Sequence, residues 1–366
     1  MKIFTSMPSP KQFAAPMLLV CSLLLTSCTT LSYYSQSVSG HLEIWWGKQD
    51  IEKLLSDNDT SPELKNNLQE ILRYRQFASD QLGLPDNDSY KSYYDLKRDS
   101  VVWNVFAAAE FSTKPKRWCY LIVGCVSYRG YYDEARALEH ALHLKQEGFD
   151  TYVGSVPAYS TLGWFNDPVL NTFVNWKADS LAGLIFHELS HQVLYISDDS
   201  AFNEAFATAV QRLGVLEWYR INGDSASQKN YLEFLKQLSL FRKILINTKE
   251  KLNVIYSSDL SEQNKKEQKS QIFNGMIVEY ENVSKSWGKD PFRNWFKKEL
   301  NNARLIANLE YIGHIPAFYA LFAQNNKDWK RFLSACIKLS QMKKPEREKR
   351  LAELTAENIS LENVVL

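Results

Sequence analysis

The sequence predicts an α+β fold: a small N-terminal sheet lobe, a zinc-binding helix at the junction near residue 178, and a mainly helical C-terminal lobe. Three observations carry this reading. Runs rich in β-branched and aromatic residues, the mark of strands, fall before about residue 178. Beyond Leu213 the apolar residues recur with helical period and strand signals are few. Between the two regions, Leu184 to Leu194 is apolar on nearly every side, so it reads as a helix buried between neighbours. The 366 residues, 45% hydrophobic and 13% aromatic, suffice for one large core or two lobes. The expected organisation is therefore a leader (1–27), a tether (28–40) and a single domain (41–366), divided into an α/β lobe (41–177) and a helical lobe (178–366).

The leader comes first. Lys2 and Lys11 precede an apolar run, Ala14 to Leu25, that is short for a bilayer span and ends in small residues, as a signal peptide does. Leu25-Thr26-Ser27-Cys28 resembles a lipobox, in which cleavage before the cysteine leaves Cys28 lipidated. Thr29 rather than Asp follows it, which resembles outer-membrane sorting. The expected location is the cell envelope, with the chain lipid-anchored on the periplasmic face of the outer membrane.

After a polar stretch, Thr60-Ser61-Pro62-Glu63 supplies a cap, a proline at the first helical position and an early acid, so a helix is expected over Pro62–Gln81, stopped by Gly83-Leu84-Pro85. Leu64, Leu68, Ile71, Leu72 and Phe77 give it a buried stripe. Val101–Ala108 and Trp118–Val126 read as strands, Asp133–Glu147 as a helix closed by Gly148, and Thr151–Val156 as a further strand. His140 and His143 on that helix read as exposed, with no third ligand nearby. Pro157 to Pro168 is a connector rich in Pro, Gly and aromatic residues, suited to the wall of a cleft. Helices are expected over Tyr231–Lys249, Asn264–Lys285, Pro291–Leu309, Pro316–Gln324 and Trp329–Leu339. The net charge of +1 gives no electrostatic argument for nucleic acid.

The chemistry concentrates in His187-Glu188-Leu189-Ser190-His191. On a helix these two imidazoles and the carboxylate share one face, and such a strip on a buried helix is costly unless a metal or hydrogen bonds compensate. In the H-E-x-x-H arrangement the histidines bind zinc and the glutamate acts as general base on the metal-bound water. A catalytic zinc keeps three protein ligands and one open position. Glu204 offers the third ligand. It lies one turn into a returning helix held by Phe202 and Phe206, whereas Asp198 and Asp199 sit in a polar turn where short side chains cap the next helix, and Glu217 lies more than three turns further on. Asn203 is placed to hydrogen-bond backbone near the cleft.

These blocks, with Tyr128-Arg129-Gly130-Tyr131, Val156 to Phe165, Asp167-Pro168, Asn203-Glu204 and Phe206-Ala207-Thr208, resemble the bacterial zinc aminopeptidases, lipoproteins of Gram-negative organisms related to the gluzincin metallopeptidases. The resemblance implies one Zn2+ per chain, a peptide substrate, and a phenol or imidazole that supports the oxyanion, for which Tyr159, Tyr311 and His314 remain open. The strand Thr151–Val156 is suited to align an extended peptide by main-chain pairing. Two departures stand out. No Gly-x-Met-x-Asn block for a free amino terminus precedes His187, and Thr208 stands where an acidic residue often follows the glutamate ligand, so His187 must be supported differently. The expected function is a zinc-dependent peptidase of the envelope, an aminopeptidase, with Glu188 as base. The alternative is a non-catalytic, zinc-bound envelope lipoprotein acting in binding or assembly; the acid between the two ligands, which a binding module does not need, favours the enzyme. An envelope location also permits disulfides. Cys119 and Cys125 would lie about 20 Å apart on one extended strand, but a turn at Gly124 would bring them together. Cys336 reads as a free, buried thiol on a helix.

Overall fold

The computed structural model describes residues 43–357 except 45, 121–123, 159–165, 198 and 310–312, together with residues 359 and 361. Residues 1–47 and 48–366 cluster as separate units, and the second holds the three sheets of the described residues. This second unit is a mainly helical α+β structure with small sheets. Cys28 lies outside the described residues, as do Tyr159 and Tyr311. Among the described residues no helix is long and apolar enough to cross a membrane.

A three-stranded sheet opens the unit: β1 (Gln49–Asp50) runs antiparallel to β2 (Ser92–Tyr94), which is parallel to β8 (Val169–Leu170). Between β1 and β2 lie α1 (Ile51–Ser56) and α2 (Pro62–Asp80). Ser61 caps α2 by accepting from Leu64 N at 3.3 Å, and Gly83, at φ 68°, takes the chain out of it. Its buried face carries Leu68, Ile71 and Phe77, and also Arg75. That guanidinium is satisfied by carbonyls of the following loop, Pro85 O at 2.7 Å, Asn87 O at 2.9 Å and Ser89 O at 3.0 Å. A buried charge is tolerable only when so completely bonded, and here it fixes the shape of the loop.

The second sheet has the order β6 (Arg129–Tyr131), β3 (Val102–Ala109), β7 (Phe149–Val156), all antiparallel, with Val105 opposite both Arg129 and Val153. Alternation along β3 turns Trp103, Val105 and Ala107 to one face, where Ala137, Ala141 and Leu144 of α3 (Glu134–Gln146) cover them. Asp133 caps α3, and Gly148 at φ 86° closes it. His140, expected to be exposed, is half-buried between Trp118 and Tyr131; burial above all, then the nearby charge of Arg129, lowers its pKa to about 4. The expected strand Trp118–Val126 is instead a hairpin of β4 (Trp118–Tyr120) and β5 (Gly124–Val126), and Cys119 pairs with Cys125 and is joined to it by a disulfide. Gly124 sits in β5 opposite Tyr120.

From β8 the chain enters α4 (Ala178–His191), then α5 (Ser200–Ile221). A long antiparallel pair comes next, α6 (Ser225–Tyr256) and α7 (Glu262–Ser284), with Phe241, Leu245, Leu252, Phe273 and Met276 in its core. The single helix expected over Pro291–Leu309 is two short ones, α8 (Arg293–Phe296) and α9 (Asn302–Ala307). The break has a cause. Asn301 caps α9 by accepting from Arg304 N at 2.9 Å, and the Asn302 amide donates to Glu110 O at 2.9 Å, which binds this corner to the end of β3. Then come α10 (Ile315–Gln324), α11 (Trp329–Ser340), where Cys336 is free and buried, and α12 (Lys344–Ala356), a mostly charged helix that hydropathy does not reveal.

Candidate metal centre

Two glycines let α4 and α5 lie close together. A Cβ at Gly214 would come within 2.8 Å of Phe186 and of Leu82, and one at Gly183 within 3.1 Å of Gln211. Pairing of residue 183 with 211 and of 187 with 204 makes the helices antiparallel, so the C-terminal turn of α4 meets the first turns of α5. His187 and His191 are there opposed to Glu204.

The three side chains converge on one point. The two Nε2 atoms are 3.2 Å apart, and Glu204 places Oε2 3.3 Å from His187 Nε2 and Oε1 3.6 Å from His191 Nε2. Tetrahedral zinc with bonds of about 2.0–2.1 Å requires ligand atoms about 3.3–3.4 Å apart; the Nε2 pair and the His187–Oε2 distance have this size, and the second carboxylate oxygen, Oε1, faces His191. The donor chemistry agrees, and a metal ion fits these residues. Burial disfavours charge on His187, but Glu204, Glu188 and Gln211 outweigh it and raise the pKa. His191 is lowered to about 4 by burial and then by His187, while the imidazoles hold Glu204 below the usual carboxylate range against the effect of its own burial.

Support comes from further residues, of which sequence reasoning singles out Asn203 and Asp199 but not Gln211 or Arg75. Gln211 Oε1 lies 3.2 Å from His187 Nδ1, so it accepts the ring N–H and leaves the Nε2 lone pair facing His191 and Glu204. It occupies the role left open by Thr208, and a signal for it exists in the spacing: seven residues, about two turns, separate it from Glu204 on the same helix face. Asn203 clamps the α4–α5 loop through Ile196, accepting from its N at 2.9 Å and donating to its O at 2.8 Å. Asp199 stands at the N-cap of α5 but does not cap it; its carboxylate pairs with the buried Arg347 of α12 at 2.5 Å. Arg75 acts from further out, since the loop it fixes contacts the residue after His191, with the Asn87 amide donating to the Gln192 side-chain carbonyl at 2.5 Å.

Glu188 is not one of the three converging residues. It lines a cavity of about 1080 Å³ that also receives His187, Thr208 and Gln211 and extends between α5 and α6. Glu188 acts on Tyr90, buried at φ 63°, whose phenol is pushed well up by burial and then by Glu188 and Asp167. His314 is the N-cap residue of α10 and is absent from the described lining of the cavity.

A protein-family model described as "Putative aminopeptidase" matches residues 32–351. No curated protein and no solved structure matches the chain.

Proposed function

The chain belongs to that aminopeptidase family, and from this premise we propose that it is a zinc-dependent peptidase of the cell envelope, lipid-anchored through Cys28. The family supports peptidase action on a peptide substrate. The zinc assignment is carried by one observation, the convergence of His187, His191 and both carboxylate oxygens of Glu204 at 3.2–3.6 Å. Zinc held there supplies Lewis acidity and lowers the pKa of water from about 15.7 toward ~7.

The remaining work falls to the chain. Glu188, on the cavity wall beside His187, takes a proton from the attacking water and passes it to the leaving amine as the C–N bond breaks. Gln211 holds His187 in one tautomer throughout. Tyr159 and Tyr311 are the phenols proposed to support the oxyanion, with His314 as the imidazole candidate. The edge of β7 not paired with β3 is a place for an extended peptide to pair, although Thr151 O there already accepts from Asn301 at 3.0 Å.

We place the cut at the amino terminus, following the family. The test uses a peptide and its N-acetylated twin with purified protein. Hydrolysis of the free peptide should stop with a chelator and return with zinc, and acetylation should suppress it. Equal cleavage of both peptides would remove the aminopeptidase reading, and chelator-insensitive cleavage would remove zinc. For the anchor, Cys28→Ala should leave the membrane fraction; a variant that stays there would locate the anchor elsewhere.

A further inference from the structure

The cavity that receives Glu188 continues away from the histidines to two arginines, Arg212 of α5 and Arg242 of α6. Arg212 donates to the Tyr319 hydroxyl at 3.1 Å. Arg242 has only Arg212 and Tyr319 as electrostatic neighbours among the described residues, and burial, reinforced by Arg212, lowers its pKa to about 10. No carboxylate among the described residues answers either guanidinium. Of the three acids on the cavity lining, Glu188 acts on His187 and Tyr90, Glu233 accepts from Gln237 at 3.3 Å, and Asp179 accepts from Ser180 N at 2.7 Å. Two partly buried like charges on the lining of one cavity favour an anion between them. Guanidinium forks match a carboxylate in a way that an ammonium does not.

The spacing gives the length of the ligand. Arg212 lies eight residues beyond Glu204 on one helix, about 12 Å along its axis. An extended peptide covers that distance in about three to four residues.

We infer that Arg212 and Arg242 form a carboxylate-binding subsite, and that the preferred substrates are short peptides with an acidic group about three residues from the bond to be cut. The carboxylate is either a free C-terminus or an acidic side chain at that position. This inference rests on the peptidase reading above.

Three tetrapeptides alike in every other respect separate the sources: a free acid, its C-terminal amide, and the amide ending in Glu. On the zinc-loaded full chain, the free acid should be cut about tenfold or more better than its amide. The Glu amide should recover the rate if a side chain serves, and fall with the plain amide if the C-terminus is required. Arg242→Gln, which removes one of two neighbouring like charges, should bring acid and amide to within about twofold by raising KM for the acid. Binding of the same peptides to Glu188→Gln is measured by calorimetry, so that the subsite is read without turnover. Tighter binding of a carboxylate-bearing peptide, lost in Arg242→Gln, supports the subsite even if nothing is cleaved, and the peptidase reading then falls alone. Normal cleavage with no preference for either carboxylate-bearing peptide, or a preference that survives in Arg242→Gln, overturns the subsite alone.

Discussion

Helices α3 and α4 each carry two histidines about one turn apart, His140 with His143 and His187 with His191, yet the pairs end in opposite surroundings. The face of α3 packs on a sheet, and His140 is closed in by Trp118 and Tyr131 while His143 turns outward to Glu147 at 3.3 Å. The face of α4 packs on another helix, which brings Glu204 to within 3.6 Å of both rings. Burial alone does not separate them, because His140 and His191 are both pushed down to about 4 chiefly by burial. What differs is the opposing element. A sheet face of aromatic residues supplies packing, whereas an antiparallel helix supplies a carboxylate at fixed height and, two turns on, a second group, Gln211, against His187.

The comparison is broken most directly by exchanging histidines. His191→Ala should lose the metal and, with it, peptide hydrolysis on the order of a thousandfold or more, while His143→Ala should change neither. Metal analysis and steady-state rates on both variants check this, and equal losses would erase the distinction. Next in size is the ion pair behind the loop between α4 and α5. Arg347→Met leaves Asp199 buried without its cation and should lower unfolding free energy by about 3–5 kcal/mol, read by denaturant titration. No comparable buried pair lies behind His140 among the described residues.

Smaller effects sharpen the contrast. Gln211→Ala removes the acceptor for the His187 ring N–H and should weaken zinc binding about 10–100-fold in a chelator competition. A milder loss is expected for Gly183→Ala, whose Cβ would press on Gln211 at 3.1 Å. Smallest is the pH response of α3. His140 stays neutral in the fold down to about 4, whereas its unfolded counterpart takes up a proton below the ordinary 6.5, so stability falls as pH drops through that window and levels off below it. His140→Phe should flatten this limb by about 1–2 kcal/mol between pH 7 and 4, a figure discounted because the ring is only half-buried. An unchanged slope would mean the ring is already accommodated as a cation.

The sequence carried the site better than it carried its surroundings. The spacing in His187-Glu188-Leu189-Ser190-His191, the apolar flanks and the position of Glu204 are local facts that a helix converts directly into geometry. Caps such as Ser61 and Asp133 likewise declare their helices. What stays hidden depends on contacts between distant segments. Arg75 looks like a solvated helix residue until the carbonyls of Pro85, Asn87 and Ser89 turn toward it. Asp199 has the sequence position of a cap, but Arg347, 148 residues away, takes its carboxylate. The hairpin at Cys119 and Cys125 reads as one strand because both arms have strand composition, and the long helix expected after Pro291 breaks because Asn301 and Asn302 find partners on a sheet that local periodicity cannot see.

The central claim is that Glu204 completes the metal site and that Glu188 works beside it without being a ligand. Zinc content per chain, measured side by side for Glu204→Gln and Glu188→Gln with turnover on the same samples, addresses it most directly. Glu188→Gln should keep about one zinc per chain and lose turnover by about 10²–10⁴-fold, and Glu204→Gln should lose both. Full zinc retention in Glu204→Gln, or loss of zinc from Glu188→Gln, would contradict the account.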